Sequence, residues 1–288
     1  MKTILVTGAY GQLGNEIKDL VSFLPQAEFI FSDVDTLDIC NKESLTEYFN
    51  KHNLDFVVNC AAYTAVDKAE SDQEKANMIN AMAVKFLAEV CSQNKVKLIQ
   101  VSTDYVFDGT QSTPYIETDK TNPQSSYGRS KLDGELALKD NENAIIIRTA
   151  WLYSKYGNNI VKTIRKKGSE LGQLKFVFDQ VGSPTWAHDL ATAIIEILKL
   201  SIENEKNFKP GIYHYSNEGV CSWYDFAQEV VRISNINCKV LPILTSEYPV
   251  PAKRPAYSVF DKSKIKNSYN ISIPWWKDSL ANCIKEME

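Results

Sequence analysis

The chain has 288 residues, 44% hydrophobic and 24% charged, with a net charge of −4 at neutral pH. That length and balance suit one large domain or two of ordinary size around a substantial core. The mild acidity gives no electrostatic case for nucleic acid or an anionic membrane surface as partner, and no long run of one charge sign interrupts the chain.

The opening residues, "MKTILVTGAYG", read as a strand entering a turn and not as a signal peptide. No apolar run reaches the ~20 residues of a membrane helix. Cys40, Cys60, Cys91, Cys221, Cys238 and Cys283 are far apart without a CxxC pair, the usage of reduced thiols in a cytoplasmic protein. His52, His188 and His214 form no ligand cluster, so no metal site is expected.

Strand candidates at 3–7, 28–32, 55–59, 97–102 and 144–148 are short, β-branched and nearly continuously apolar. Helix-length segments such as "QLGNEIKDLVSFL" and "KANMINAMAVKFLAEVCSQ" separate them. That alternation predicts an α/β fold: a Rossmann-like, doubly wound parallel sheet covered on both faces. Residues 1–150 are expected to form this nucleotide-binding domain, completed by a helix near 186–200. After residue 150 the pattern loosens into aromatic and proline-rich pieces, "WLYSKYGNN", "FDQVGSPT", "GIYHYSNEG" and "PVPAKRPAYS". Residues 151–288 are therefore expected to be mainly a smaller substrate-binding lobe with a discontinuous boundary. A second helix near 222–234 is expected to pack on the sheet.

Directly after the first strand, "TGAYGQLG" supplies Gly8, Gly11 and Gly14. Glycines there let the backbone turn tightly and approach a pyrophosphate, to which the following helix presents free N–H groups. Asp33 ends the second strand, where an acid can accept from the adenosine ribose hydroxyls and repel a 2′-phosphate, a preference for NADH over NADPH. "SDVD" is also good turn chemistry. Asp38 is a second candidate on the adenine side.

The fourth strand runs into "VSTDYVFDG", so Ser102 or Thr103 falls at a strand end, where doubly wound sheets bind ligands. "NPQSSYGRSKLDGELAL" then predicts a helix from about Pro123, capped by Asn122. Tyr127 and Lys131, four residues apart, share one face of it. An ammonium beside a phenol favours the phenolate, which would make Tyr127 an acid and Lys131 the group that tunes it. Phosphate loop, strand-end hydroxyl and YxxxK helix follow in the order that one nucleotide site requires.

These motifs resemble the extended short-chain dehydrogenase/reductase superfamily. "NCAAYTAVDKAE", "VSTDYVFDG", "NPQSSYGRSKLDGE", "RTAWLY", "GNNIVKT", "DQVGSPT" and "AKRP" are similar, over nearly the whole chain, to the dTDP-4-dehydrorhamnose reductases within it. The resemblance implies reduction of the 4-keto group of a dTDP-sugar by NADH or NADPH, feeding rhamnose into polysaccharide. It assigns Tyr127 as proton donor, Lys131 to the nicotinamide ribose, and Thr103 to polarising the carbonyl oxygen. Gly11, Gln12 and Leu13 would line the cofactor phosphates, with Ala61, Ala62 and Tyr63 flanking the cofactor. Val66, Asp104 and Trp151 would stand near the sugar, and Arg254 near its diphosphate. Nucleotide choice rests on the resemblance alone.

Some family members are dimers bridged by magnesium through glutamates. Glu16 is suitably placed for this, but His188 stands where another carboxylate would be expected. A hard cation prefers oxygen ligands, so a magnesium bridge is not expected, while a homodimer remains open. Two other readings stay open: another sugar-nucleotide reductase or epimerase, and a non-catalytic regulatory subunit of the methionine adenosyltransferase type.

Overall fold

Five of the expected strands form, as β1 (Lys2–Thr7), β2 (Ala27–Ser32), β3 (Phe56–Asn59), β4 (Lys97–Thr103) and β5 (Ala144–Thr149). The computed structural model describes all 288 residues. The strands lie in the order β2–β1–β3–β4–β5, every neighbouring pair parallel. β3 and β5 are buried at every position, as a strand covered on both faces must be. The sequence direction reverses between β1 and β3, the switch point where such sheets open a crevice at their carboxyl ends.

The connecting helices are α1 (Gln12–Asp19), α2 (Lys42–Lys51), α3 (Gln73–Asn77), α4 (Ala83–Asn94) and α5 (Ser126–Leu136). After β5 come α6 (Ile160–Leu171), α7 (Ala187–Glu203), α8 (Trp223–Ile233), α9 (Ser263–Tyr269) and α10 (Trp276–Glu286). Alternate residues of β1 serve opposite cores: Ile4 and Val6 pack with Ile17 of α1 and Ile194 of α7, while Leu5 packs with Leu45 of α2 and Leu87 of α4. The helix expected near 186–200 is thus α7, lying on the sheet against α1.

Three expectations are corrected. The sheet has a sixth strand, Gly211–His214, paired parallel with β5 from Gly211↔Ile145 to His214↔Arg148. "GIYHYSNEG" gave no strand signal because this edge piece is four residues long and mixes glycine, tyrosine and histidine. The helix near 222–234 is α8, but it packs away from the sheet. Phe226 and Val230 join Tyr153, Trp186, Trp276 and Leu280 in a separate core with α6, α10 and the parallel pair Gln173–Val177 and Lys239–Ile243.

The third correction concerns α5, which starts at Ser126 and not at Pro123. Ser125 is its cap, with its Oγ accepting the Gly128 N–H at 3.1 Å. Asn122 is held elsewhere, its N–H donating to the Val106 carbonyl and its Nδ2 to Asp108. No helix of the chain is long and apolar enough to cross a membrane.

Candidate active site

The carboxyl ends of β1, β3, β4 and β5 meet at one edge, and two adjoining cavities open there. The smaller, about 310 Å³, runs from Gly8 and Gly11 past Asp33 and Asp38 to Ala61 and Ala62. The larger, about 530 Å³, shares Gly8, Gly11, Cys60 and Ala62 with it and extends past Thr103, Tyr127 and Lys131 to Trp151.

Gly8 turns the chain out of β1 with φ +62, and a Cβ there would lie 2.5 Å from the Ala61 nitrogen. Only glycine allows both the left-handed conformation and that approach of two backbones. Gly11 caps α1 without any side-chain hydrogen bond, leaving the first-turn N–H groups free of a capping side chain. Gln12 lines the larger cavity and its Oε1 is buried without a partner. A glycine cradle and an uncapped helix start fit the pyrophosphate of a dinucleotide. Leu13 also borders the larger cavity.

Gly14 does not line either cavity; a Cβ there would fall 2.6 Å from the Gly8 carbonyl oxygen and from Ala9 Cα, so it serves close helix–turn packing. Asp33 follows β2 directly. It borders the smaller cavity, and its carboxylate accepts the Tyr10 and Val34 N–H groups at 3.1 and 2.8 Å. Asp38 borders the same cavity while accepting from the Cys40 N–H.

A buried polar row braces the edge from below. Thr7 Oγ1 donates to Asn59 Oδ1 at 2.6 Å, and Asn59 Nδ2 donates to Gln100 Oε1 at 2.7 Å. Asn59 also accepts the Ala61 N–H, which sets the turn after β3. Burial pushes the nearby Cys60 thiol up to about 12, so it stays neutral.

α5 packs closely on the turn after β4 and on the segment between α3 and α4. Side chains at Gly128 and Gly134 would overlap the carbonyls of Tyr105 and Asn80. Asn80 lies in a π-helical segment, Met78–Met82, between α3 and α4; its Nδ2 donates to Ser130 Oγ and to the Tyr63 carbonyl. At the start of α5 the Glu70 carboxylate accepts both the Ser126 N–H and its hydroxyl, at 2.7 and 2.8 Å.

Further along the same helix, Glu135 forms a bidentate pair with Arg148 of β5, at 2.9 and 2.6 Å, both side chains only 3% exposed. Ser102 donates to the same carboxylate at 2.5 Å. Ser102 and Thr103 both line the larger cavity, but the Ser102 hydroxyl is thereby committed to the ion pair, whereas Thr103 is not. His214 faces Arg148 at 3.3 Å; burial first, and then that guanidinium, lower its pKa to about 3.

Tyr127 is 8% exposed, and burial pushes its phenol up to about 12. Hydrogen bonding with Thr103 works against that rise, and the charge of Asp104 adds to it. Lys131 is 5% exposed and donates to the Val101 carbonyl at 2.7 Å. Burial lowers its pKa to about 8, opposed by Glu135 and Cys60. Tyr127 and Lys131 face one cavity, but here the phenol is raised by desolvation and moderated by Thr103, and the ammonium is engaged by a backbone carbonyl.

Asp104 is fully enclosed. Its Oδ1 accepts from Thr103 at 3.0 Å, its Oδ2 has no partner, and burial raises its pKa to about 6. Val66 and Trp151 line the same cavity. Trp151 has φ +49, a conformation costing a bulky residue of order 1 kcal/mol or more.

Two candidates lie off the cavity walls. Tyr63 packs with Ala69, Ala76 and Tyr127 and donates to Asp72 at 3.2 Å. Arg254 donates to Asp67 at 3.0 Å, with its Nε buried and unpartnered. Glu16 is wholly buried; Ser154 donates to one oxygen at 2.5 Å, and His188 Nδ1 stands 3.2 Å from the other.

Glu70, Asn80, Glu135, Arg148 and Trp223 were missed in the sequence. Glu135 alone carried a signal, being four residues beyond Lys131 on the same helix.

A parallel sheet with a glycine turn, a strand-end threonine and a Tyr–Lys helix around one crevice defines a nicotinamide-dependent short-chain dehydrogenase/reductase. A family model described as "RmlD substrate binding domain" matches residues 1–288. The dTDP-4-dehydrorhamnose reductase of Aggregatibacter actinomycetemcomitans is 39% identical, over 98% of each chain. A solved dTDP-4-dehydrorhamnose reductase from Clostridium acetobutylicum superposes with a TM-score of 0.93 at 43% identity, covering 99% of each chain. Another from Bacillus anthracis, in complex with NADP, has a TM-score of 0.93 at 35% identity, covering 99% of this chain and 100% of that one. The chain belongs to the dTDP-4-dehydrorhamnose reductase family.

Proposed function

We propose that this chain reduces the 4-keto group of dTDP-4-dehydro-L-rhamnose to dTDP-L-rhamnose with a reduced nicotinamide dinucleotide. The observation that carries the reading is the convergence of Thr103, Tyr127 and Lys131 on one cavity that continues into the glycine cradle. Residues 1–150 with α7 hold the cofactor, and residues 151–288 chiefly complete the sugar side.

When bound, the dinucleotide supplies the hydride that goes to C4. Tyr127, protonated throughout the neutral range, donates its hydroxyl proton to the carbonyl oxygen, and Thr103 hydrogen-bonds the same oxygen. The two transfers together turn the ketone into a secondary alcohol. Lys131 binds the nicotinamide ribose, and its charge eases the loss of the phenolic proton. Asp104 offers its unpartnered oxygen to a sugar hydroxyl. Gly11, Gln12 and Leu13 hold the pyrophosphate. Asp33 favours NADH, whereas the Bacillus anthracis relative contains NADP, so both cofactors are tested.

Oxidation of NADH and NADPH is followed with dTDP-4-dehydro-L-rhamnose generated in situ. Wild type is expected to yield dTDP-L-rhamnose. Tyr127→Phe is expected to lose turnover roughly 10²–10⁴-fold while binding cofactor normally. Turnover by Tyr127→Phe at the wild-type rate would remove Tyr127 from the chemistry, and absence of oxidation by wild type would remove the reaction.

A further inference from the structure

Trp223 is the sole residue beyond Asn159 that lines the larger cavity. It is the first residue of α8, in a turn held by a reciprocal cap: Ser222 Oγ accepts the Asp225 N–H at 3.1 Å, and Asp225 accepts the Ser222 N–H at 3.0 Å. Its indole lies flat on that of Trp151, ring centroids 3.6 Å apart and planes 7° apart. Phe226 meets Trp223 edge-on at 6.0 Å. On Trp151 itself, a side chain at Gly182 would come within 2.7 Å of Cε2. Trp151 is thus held in its left-handed conformation between a bare glycine and a stacked partner supplied by α8.

The cavity is chemically two-sided. Thr103, Asp104, Tyr127 and Lys131 are among its polar groups, and the tryptophan pair supplies flat apolar surface. A hexose oriented by its 4-oxygen and ring hydroxyls toward the polar group turns a C–H face or its C5 substituent toward the indoles. A methyl there is favoured, whereas a hydroxymethyl would bury a hydroxyl without assured partners.

We infer that Trp223 is a specificity-determining residue: stacked on Trp151, it completes the apolar wall that selects a 6-deoxy sugar over its 6-hydroxy counterpart. The inference rests on the reductase reading above, deepens it to the substituent on C6, and assigns a role to a residue of the C-terminal lobe.

The test compares dissociation constants for dTDP-L-rhamnose and for dTDP-L-mannose, which carries a hydroxyl on C6, by calorimetry with NADP⁺ saturating. Wild type is expected to prefer the deoxy sugar roughly 10–100-fold. Trp223→Ala is expected to bring the two within about threefold, and Trp223→Phe to keep most of the preference. NADPH affinity at the wild-type level reports that each variant is folded; if Trp223→Ala fails that check, Trp223→Gln takes its place with the same expectation. An unchanged ratio, or equal weakening toward both sugars, overturns the inference alone, as does a wild type that binds both equally. A wild type that binds NADPH but neither sugar overturns the reductase reading and the inference with it.

Discussion

The sheet half and the C-terminal lobe reach the cavity by different means. In the sheet half, Thr103 ends β4, Trp151 follows β5, and Tyr127 and Lys131 stand on a helix clamped by Glu70, Asn80 and the Glu135–Arg148 pair. Every polar catalytic candidate belongs to this half, where backbone direction and buried hydrogen bonds set position. The lobe has an aromatic core of its own, on which Trp151 also packs, and lends the larger cavity Trp223 from α8. Rigid strand ends suit chemistry, which tolerates little misplacement, whereas a separately packed lobe can vary to suit the sugar.

The comparison breaks most severely at the buried ion pair. Glu135→Ala leaves Arg148 enclosed without its carboxylate and is expected to cost about 3–5 kcal/mol in urea unfolding. A loss below about 1 kcal/mol would mean that the pair does not anchor α5 to the sheet.

Asp104 tests whether the site is held at the expense of stability. Its folded pKa, about 6, lies above the ordinary carboxylate value, so the folded state binds more protons between roughly pH 4 and pH 6. Its contribution to stability is therefore present at low pH and lost as pH rises through 6. Asp104→Asn is expected to be more stable than wild type by about 2 kcal/mol at pH 7, with the gain vanishing below about pH 4. The same variant is expected to bind the sugar nucleotide more weakly. A gain independent of pH would contradict the ionisation argument.

Lys131 sharpens the electrostatic side. With its pKa lowered to about 8, it is charged at neutral pH and loses its proton above that value. kcat/KM for reduction is expected to fall, by up to about tenfold per pH unit, above pH 8. Lys131→Arg, which stays charged, is expected to abolish that break even at reduced activity; a break that persists would belong to another group. The smallest effect is expected at Asp33, which already serves the turn. Asp33→Ala is expected to move the ratio of NADH to NADPH turnover several-fold toward NADPH, and an unmoved ratio would leave it a turn residue only.

The parallel sheet was legible because strands buried on both faces must be almost wholly apolar, and β1 to β5 are. The glycine turn, Thr103, Tyr127 and Lys131 were legible because their spacing follows from local geometry: a turn after a strand, a strand end, one helix face. Gly14 and Tyr63 matched motifs, yet the structure gives them to packing, since spacing does not tell a cavity wall from a helix contact. The start of α5 could not be read, because Glu70, over fifty residues away, supplies part of its cap.

The residues 1–150 thus determined by themselves the fold class and the line of the cofactor cavity, through periodicity and turn chemistry acting over a few residues. Tertiary structure alone decided which strand-end hydroxyl is taken up by the ion pair, because the choice between Ser102 and Thr103 turns on Glu135 and Arg148. It also decided that Tyr127 lies buried, and that Trp223 comes to lie on Trp151. Each of these depends on contacts between residues distant in the chain and on exclusion of water, and neither quantity is a property of local sequence.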